Sequence, residues 1–438
     1  MKIGIIGGGL MGLSLAERLA QMDHEITVFE QNEQVGGLAT WHDFGRFTWD
    51  KFYHVILPTD AHLVGLIEEI GLGSKLQWRK TGTGVFVDDE MHSVSSTKEF
   101  LTFKPLSLWS KFRLGLTILY GAALNDWKSL EKITVENWLL RISGRTTYEK
   151  FWRPLLLAKL GPEYHRVSAV FIWTYIKRLY SARSSAAKAE HMGYVSGGYK
   201  TIFSRLAERL AQRNGHLLTG QGIANIRAND TGGACIEDSD GKTWSFDKVI
   251  YTGPAGLLNH LADASLLDTE VDGHQVEYLG VVCVIVASRE PMTTHYTVNI
   301  ADDRVPFTGL IGMSNVVDRD ETDGLHLTYL PKYILSTDPY MQRTDEEIKE
   351  EFMSGLAKML PEFPMDSVEN IYVHRAGRVQ PLQVLGYSDI APKIDTNAKD
   401  FYVVNTAQFV NSTLNNNEVV GLVNSFLERY QTDFVKQH

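Results

Sequence analysis

Residues 2–12, KIGIIGGGLMG, join a short apolar strand to a G-x-G-x-x-G turn. Apolar residues recur at helical spacing after the turn, and a second apolar strand at 25–29 ends on Glu30. This order of strand, glycine turn, helix, strand and acidic residue is typical of a βαβ unit that binds a dinucleotide. The sequence therefore predicts a Rossmann-type domain that includes the first residues of the chain.

Each glycine of the turn has a distinct physical role. Gly7 permits the tight turn, Gly9 lets the backbone approach a pyrophosphate, and Gly12 lets the helix pack closely against the strand. The helix N-terminus, at Leu10 and Met11, offers free N–H groups and the positive end of its dipole to phosphates. We expect these five residues to contact or to shape the cofactor site.

Two features after the turn indicate which dinucleotide binds. Glu30 is expected to accept hydrogen bonds from ribose hydroxyls and to repel a 2′-phosphate. Six residues later comes the doublet Gly36-Gly37, followed by Leu38 and Ala39. The doublet resembles the second glycine motif of the two-dinucleotide-binding-domain flavoproteins, which implies FAD; an ordinary loop is the alternative. The sequence has no second complete G-x-G-x-x-G, so we expect no separate nicotinamide domain.

The composition is that of an acidic globular protein large enough for two domains. The 438 residues include 43 Lys and Arg against 53 Asp and Glu, a formal net charge of −10, which argues against nucleic acid as a partner. Cys235 and Cys283 are too few for a disulfide framework or a metal site, so we expect buried thiols and no metal. A strand at residue 2 leaves no room for a signal peptide, which predicts a cytoplasmic protein.

The pattern of elements predicts an α/β fold with a discontinuous Rossmann-type FAD domain and an inserted mixed α/β substrate domain. A helix at 201–214 and a strand at 248–252 are predicted to return to the nucleotide domain, and a strand at 401–408 returns again. The predicted FAD domain comprises residues 1–80, 190–265 and 370–438, and the predicted substrate domain comprises residues 81–189 and 266–369.

This arrangement resembles the superfamily of FAD-dependent amine oxidases, phytoene desaturases and protoporphyrinogen oxidases. Residues 148–161 and 326–331 also resemble a bacterial subgroup of NAD(P)/FAD-dependent oxidoreductases within it. In that superfamily a strand after the second helix contacts the adenine, and the resemblance places Ile223 at this position. The resemblance covers nearly the whole chain, and it implies that the cofactor is FAD.

The C-terminal part resembles the flavin motif of the same superfamily. The resemblance implies that Asn405 and Thr406 lie beside the ribityl chain, and that Asn417, Glu418 and Val419 begin a helix aimed at the flavin pyrimidine ring. The superfamily usually has Gly-Asp in place of Asn405-Thr406, and the subgroup often has a charged run where residues 410–414 are neutral. This departure leaves a non-catalytic, flavoprotein-like scaffold as one interpretation.

Candidates for the chemistry follow the second glycine doublet and precede the last strand. Tyr53 and His54 are expected near the flavin, where His54 would serve as acid or base; a packed histidine with one hydrogen bond is the alternative. Arg375, Arg378 and Gln380 are further candidates for the cavity wall, with a surface position as the alternative for the two arginines.

A basic and aromatic segment suggests an anionic substrate. Between residues 150 and 188 only Glu163 opposes eight basic residues: Lys150, Arg153, Lys159, Arg166, Lys177, Arg178, Arg183 and Lys188. We expect Arg178, Arg183 and Tyr175 to bind a substrate such as a phosphorylated lipid, a nucleotide sugar or a carboxylate. Arginines on a solvated face, or paired with acids elsewhere in the fold, are the alternative.

An apolar stretch of the sequence is a candidate for contact with a membrane. The uncharged run at 114–124 is too short to span a bilayer, which needs about 20 residues. A helix buried in the substrate domain is the plainer interpretation, and a helix that lies in the interface, with peripheral contact at the inner membrane face, is the alternative.

The preferred function is an FAD-dependent oxidoreductase that abstracts hydride from, or desaturates, a small or lipid-like substrate. A non-redox flavin enzyme, an isomerase or mutase acting on a nucleotide sugar, is the second hypothesis, and the scaffold described above is the third. Net redox change in the product separates the first two, and a colourless purified protein would favour the third. The sequence leaves the oligomeric state open.

Overall fold

The structure is a computed structural model that describes residues 1–184, 191–229, 232–267, 275–300, 302 and 304–435. Its strands are β1 (Lys2–Ile6), β2 (Glu25–Phe29), β3 (Trp41–Asp43), β4 (Thr48–Asp50), β5 (Leu76–Lys80), β6 (Thr83–Val87), β7 (Glu90–Ser93), β8 (His191–Val195), β9 (His216–Leu218), β10 (Ile223–Ala228), β11 (Ala234–Asp238), β12 (Thr243–Phe246), β13 (Lys248–Tyr251), β14 (Tyr278–Ser288), β15 (Thr297–Ile300), β16 (Gly309–Gly312), β17 (His326–Leu335), β18 (Val368–Pro381) and β19 (Phe401–Val403).

Helices alternate with these strands and also form a layer of their own. They are α1 (Leu10–Ala20), α2 (Ala61–Glu69), α3 (Thr97–Thr102), α4 (Leu108–Ala123), α5 (Trp127–Leu130), α6 (Val135–Ser143), α7 (Arg145–Thr147), α8 (Arg153–Leu160), α9 (Ala169–Ser184), α10 (Gly198–Gln212), α11 (Ala255–Leu261), α12 (Asp345–Met359), α13 (Tyr387–Ile390) and α14 (Asn416–Arg429). The predicted helix at 201–214 thus begins three residues earlier, directly after a glycine turn, and ends two residues earlier.

A five-stranded parallel sheet, in the order β19-β13-β1-β2-β9, contains the N-terminal βαβ unit. Helices α1, α10 and α14 pack on one face, and the small sheet β10-β11-β12 with α11 covers the other. Because both faces are covered, the strands are almost continuously apolar and buried. The strands come from three separate stretches of chain, so this Rossmann-type layer is discontinuous, as the sequence predicts.

Helix α1 is buried nearly throughout, including one charged residue. Glu17 is fully buried, and its Oε1 accepts a hydrogen bond from Nε of Arg209 on α10 at 2.6 Å. A buried carboxylate requires such a partner because desolvation otherwise disfavours its charge. The pair therefore fixes α1, and with it the glycine turn, against α10.

A seven-stranded mixed sheet, in the order β18-β14-β17-β16-β15-β6-β7, forms the second layer. Its central strand β14 is buried along its whole length, with Val282 and Val284 facing α12 and Val281 and Cys283 facing the opposite side. Strand β18 belongs to this sheet, although the predicted boundary assigns residues from 370 onward to the FAD domain. Its strand character is set by pairing with β14, which no local sequence pattern reveals.

Helices between residues 97 and 184 form the third part of the structure. Helix α4 buries Leu114, Thr117 and Gly121 against α6 and α9. Its other side is exposed and apolar, so the expectation of a simply buried helix holds for one face only. Within the described residues, none of the helices combines the length and the apolar character needed to cross a bilayer.

Together these layers make an α/β protein with a discontinuous Rossmann-type domain and an inserted mixed α/β domain. Cys235 and Cys283 are both buried free thiols, as expected.

Candidate functional site

One cavity of about 650 Å³ lies at the carboxyl ends of β1, β2 and β13 and extends to the seven-stranded sheet. Ligand pockets commonly have volumes of about 300–1,000 Å³, and in α/β sheets they lie beyond the carboxyl ends of the strands. We call the part of the cavity around Gly9 and Glu30 the nucleotide end. We call the part around Tyr53 and Tyr333 the distal end.

The glycines at the nucleotide end allow backbones to approach each other. The Gly36 N–H donates to the Gly8 carbonyl oxygen at 3.0 Å, which holds the two glycine loops together. A Cβ on Gly12 would collide with the Gly7 carbonyl oxygen, so only glycine fits there. Gly12 lies outside the cavity wall, and its role is to let α1 pack against the turn.

The carboxylate of Glu30 lines the nucleotide end and is almost completely buried. Its Oε2 accepts from the Gly8 N–H at 2.9 Å, and its Oε1 accepts from the N–H and side-chain amide of Asn32 at 2.9 and 2.7 Å. A carboxylate offers about four lone pairs, so one acceptor position remains for a ligand hydroxyl.

The far wall of the nucleotide end is mainly apolar. Ile223 lies there with Gly222, Pro254, Leu257 and Leu261. A flat aromatic base packs favourably against such a wall because the contact removes apolar surface from water. The structure thus brings Ile223 to the same cavity as the glycine loops.

A pair of tyrosines forms the distal end of the cavity. The hydroxyls of Tyr53 and Tyr333 lie 2.7 Å apart, and Tyr175, Phe52 and Val281 complete the wall. Burial raises the pKa of both hydroxyls above the ordinary value, so both stay protonated at neutral pH. One hydroxyl donates to the other, and the remaining proton is available to a ligand.

His54 lies beside the tyrosine pair in the cavity wall. Its Nδ1 is 3.1 Å from the carbonyl oxygen of Phe52, which can only accept, so Nδ1 carries the proton and Nε2 keeps its lone pair. Burial lowers the pKa of His54 to about 4, which makes the ring neutral at pH 7. The ring therefore acts as a hydrogen-bond acceptor and is a weak base.

The C-terminal segment contributes a wall between the two ends. Thr406 and Val419 line the cavity, together with Asn415 and Asn416, which were not among the predicted cofactor residues. Asn415 caps α14, since its Oδ1 accepts from the Glu418 N–H at 3.0 Å. An Asn before a helical pattern is a recognised N-cap signal, and it could have identified this residue.

The two asparagines of the predicted flavin motif have structural roles. The Oδ1 of Asn405 accepts from the Ala407 N–H at 3.0 Å within a short turn. The Oδ1 of Asn417 accepts from the N–H groups of His62 and Leu63 at 2.9 and 3.2 Å, which ties α14 to α2. Asn405, Asn417 and Glu418 lie outside the cavity wall.

Of the predicted substrate residues, one lines the cavity and two lie outside its wall. Tyr175 lines the cavity. Arg178 instead donates to Asp60 at 2.9 Å, and Arg375 donates to Asp345 at 2.6 Å, so both are paired outside the cavity wall. The side chain of Arg183 falls outside the described residues.

Two other cations line the cavity instead. They are Lys159, one of the eight basic residues of the segment 150–188, and Arg378, a candidate that preceded the last strand. Gln380 lines the cavity as well. Nothing in the local sequence separates Lys159 from its seven basic neighbours, because its position depends on how α8 packs.

The family described as flavin containing amine oxidoreductase matches residues 10–379. This range is most of the chain, so the protein belongs to that family. It is a family of FAD-dependent oxidoreductases, and the residues present fit FAD: two glycine loops in contact, a buried carboxylate with an acceptor position left, and an apolar wall for the adenine. FAD is therefore the cofactor of the site.

Individual relatives are distant in sequence and close in fold. The chain is 21% identical over 395 residues to a 15-cis-phytoene desaturase of Capsicum annuum, over 83% of this chain and 65% of the relative, which is less than two thirds of its length. An oxidoreductase from Methanosarcina mazei superposes with a TM-score of 0.75 at 20% identity, covering 98% of this chain and 100% of the other. Reduced UDP-galactopyranose mutase has a TM-score of 0.74 at 18% identity, covering 98% and 96%. These likenesses describe the fold.

Proposed function

We propose that the protein oxidises a small or lipid-like substrate by removing hydride from a C–H bond next to a heteroatom or a conjugated system. The observation that carries this proposal is the continuity of one cavity from the glycine loops and Glu30 to the aromatic distal end. We assign the nucleotide end to a dinucleotide and the distal end to a second molecule within the same cavity. The relative that acts on phytoene supports a lipid-like substrate.

The glycine loops and Glu30 would hold FAD, which would supply the redox chemistry as the hydride acceptor. The substrate C–H bond breaks with its electron pair, and the product gains a C=C, C=N or C=O bond as a proton leaves the adjacent atom. In this protein Tyr53 and Tyr333 orient the substrate through the one free hydroxyl proton. Neutral His54 accepts a hydrogen bond at Nε2, and the apolar wall excludes water from the reacting atoms.

The first test is the chromophore of the purified protein. We expect a yellow protein that releases FAD on acid treatment, and whose absorbance bleaches anaerobically with an oxidisable substrate. Release of no flavin, even after incubation with FAD, would contradict the proposal and favour the non-catalytic scaffold. A product isomeric with its substrate, formed only by the reduced protein, would favour the mutase hypothesis.

The exposed side of α4 supports peripheral contact with an anionic membrane surface. An apolar ridge is defined as Leu108, Trp109, Phe112, Leu116, Leu119 and Tyr120 on α4 together with Leu101 on α3, each between 49% and 76% exposed. Residues 97–184 contain 15 Lys and Arg against six Asp and Glu, within a chain whose net charge is −10. An exposed apolar ridge on a segment with an excess of basic residues favours binding at a lipid interface.

Sedimentation with lipid vesicles tests this contact. We expect the protein to bind vesicles rich in phosphatidylglycerol more strongly than vesicles of phosphatidylcholine alone. Replacing Trp109 and Phe112 by Gln is expected to abolish binding, and the control Leu385→Gln, at an exposed apolar residue outside the ridge, is expected to leave it unchanged. Equal sedimentation of both variants would refute the ridge as a membrane contact.

A further inference from the structure

Lys159 is a half-buried cation in the wall of the cavity. It lies near the end of α8 and lines the distal end of the cavity, beside Tyr175 and Tyr333. Within the part of the chain that the structure describes, its ammonium has no hydrogen bond and no ion pair. Burial, together with the nearby charge of Arg178, lowers the pKa of Lys159.

Three other buried or half-buried lysines have acceptors. Nζ of Lys248 lies 2.8 Å from Asp400, and Nζ of Lys332 donates to the Pro306 carbonyl oxygen at 2.9 Å. Nζ of Lys111 donates to the Leu101 carbonyl oxygen at 2.6 Å. Lys159 is half-buried and has neither a counter-charge nor an acceptor, so a partner that enters the cavity would offset the cost of partly desolvating its charge.

The residues around Lys159 do not supply a negative charge to balance its ammonium group. Among the described residues that line the cavity, Glu30 is the only Asp or Glu, and it is held at the nucleotide end by Gly8 and Asn32. Asp60 is paired with Arg178. No carboxylate of the described wall is therefore available to Lys159, and the distal end carries a net positive charge.

The side chains around Lys159 describe the rest of the ligand. Tyr175, Tyr333, Phe52 and Val281 present rings and methyl groups, and the polar groups beside them include the Tyr53–Tyr333 hydroxyl pair and the neutral ring of His54. A single ammonium with one hydroxyl donor suits the two oxygens of a carboxylate. A phosphate dianion would typically be held by several cations or by a row of backbone N–H groups.

We propose that Lys159 binds the carboxylate of a substrate whose body is apolar, and that the tyrosines hold this body beside the cofactor. The assignment rests on the proposed function, since it names the class of substrate for the same cavity. Lys159 is a binding residue here and takes no part in the transfer of hydride.

Binding of a matched pair of probes tests the assignment. The probes are 4-phenylbutyrate and its primary amide, which have the same apolar body and differ in charge. Titration of the purified, FAD-loaded protein is followed by isothermal calorimetry and by perturbation of the flavin absorbance. We expect the acid to bind at least tenfold more tightly than the amide, and Lys159→Met to remove this preference while the affinity for the amide stays unchanged.

The control variant is Lys150→Met, at an exposed lysine outside the cavity wall. It is expected to keep the full preference for the acid. Equal binding of acid and amide by the wild-type protein, or an unchanged preference in Lys159→Met, would overturn the assignment. So would a tenfold loss of FAD affinity in Lys159→Met, because the lysine would then serve the cofactor.

Failure of the proposed function gives a different result. If the wild-type protein binds no FAD, the redox proposal fails, and calorimetry on the same protein still measures the preference for the acid. If it binds FAD and prefers the acid but no carboxylate substrate bleaches it, the binding assignment stands and the reaction must be sought elsewhere.

Discussion

The two ends of the cavity are built in different ways. At the nucleotide end, residues within about thirty positions of each other, from Gly7 to Gly37, create the loops and place Glu30 between them. At the distal end, Tyr53, Lys159, Val281 and Tyr333 come from widely separated parts of the chain. The glycine loops and Glu30 are thus a local device with a fixed spacing, whereas the apolar wall of the nucleotide end and the whole distal end exist only after the layers have packed.

This difference predicts which substitutions act on the cofactor and which act on the substrate. Changes at the nucleotide end should reduce FAD affinity whatever the substrate. Changes at the distal end should alter substrate binding and leave FAD affinity close to that of the wild type.

The largest effect is expected for Gly12→Ala. The new Cβ would collide with the Gly7 carbonyl oxygen, so the turn must open. We expect FAD binding to be lost and the free energy of unfolding to fall by about 3 kcal/mol or more, measured by FAD titration and by urea denaturation. The matched control is Gly65→Ala in α2, where a Cβ meets nothing within 4 Å, and where a gain of about 0.5–1 kcal/mol is expected. Wild-type FAD affinity in Gly12→Ala would refute the local character of the nucleotide end.

Glu30→Gln is expected to have the second largest effect. The amide nitrogen of Gln must face either the Gly8 N–H or the Asn32 N–H, so one donor loses its acceptor. The loss of a charged hydrogen bond is worth about 1–3 kcal/mol, which corresponds to an FAD affinity roughly tenfold to a hundredfold lower. Glu33→Gln, at an exposed neighbour, is the control and should bind FAD normally. A similar loss of FAD affinity in both variants would show that the negative charge of this region, and not the hydrogen bonds of Glu30, sets the affinity.

A pH dependence of stability is expected from the distal end. Burial lowers the pKa of His54 to about 4 in the folded protein, against about 6.5 in the unfolded chain. Between these values the unfolded state binds more protons, so the free energy of unfolding rises with pH across this window and falls as the pH drops through it. Because His54 faces the cavity, we expect a loss of about 1–2 kcal/mol attributable to it between pH 6.5 and pH 4.

Urea denaturation at pH 7 and pH 4.5 measures the contribution of His54 to the free energy of unfolding. The variant His54→Gln should lose less stability than the wild type over the same interval. An equal loss would show that other groups, such as the buried His374, account for the dependence.

Tyr333→Phe should produce the smallest effect. It removes the 2.7 Å contact between two hydroxyls and leaves Tyr53 with a donor that faces the cavity. We expect a loss of about 1 kcal/mol in the free energy of unfolding and an unchanged FAD affinity. A tenfold loss of FAD affinity would contradict the separation of the two ends, since the distal residue would then support the cofactor.

Much of the fold followed from patterns that act over short distances. The apolar runs of β1 and β2, the glycine spacing between them and the acidic stop at Glu30 predicted the Rossmann-type unit with its correct strands. Strand β14 is continuously apolar, as expected for a strand that is buried on both faces. Strand β18 was not assigned to its sheet, since its partly exposed residues give no such signal.

The chain's own sequence determined the glycine loops and the position of Glu30, because turn geometry and backbone contact depend on neighbours in the chain. It also determined the family resemblance that leads to FAD. Only the tertiary structure decided which cations face the cavity: Arg178 and Arg375 pair with Asp60 and Asp345, whereas Lys159 is left to face the ligand. The physical reason is that a charge's role depends on the partners that packing brings within about 4 Å, and those partners lie far away in the sequence.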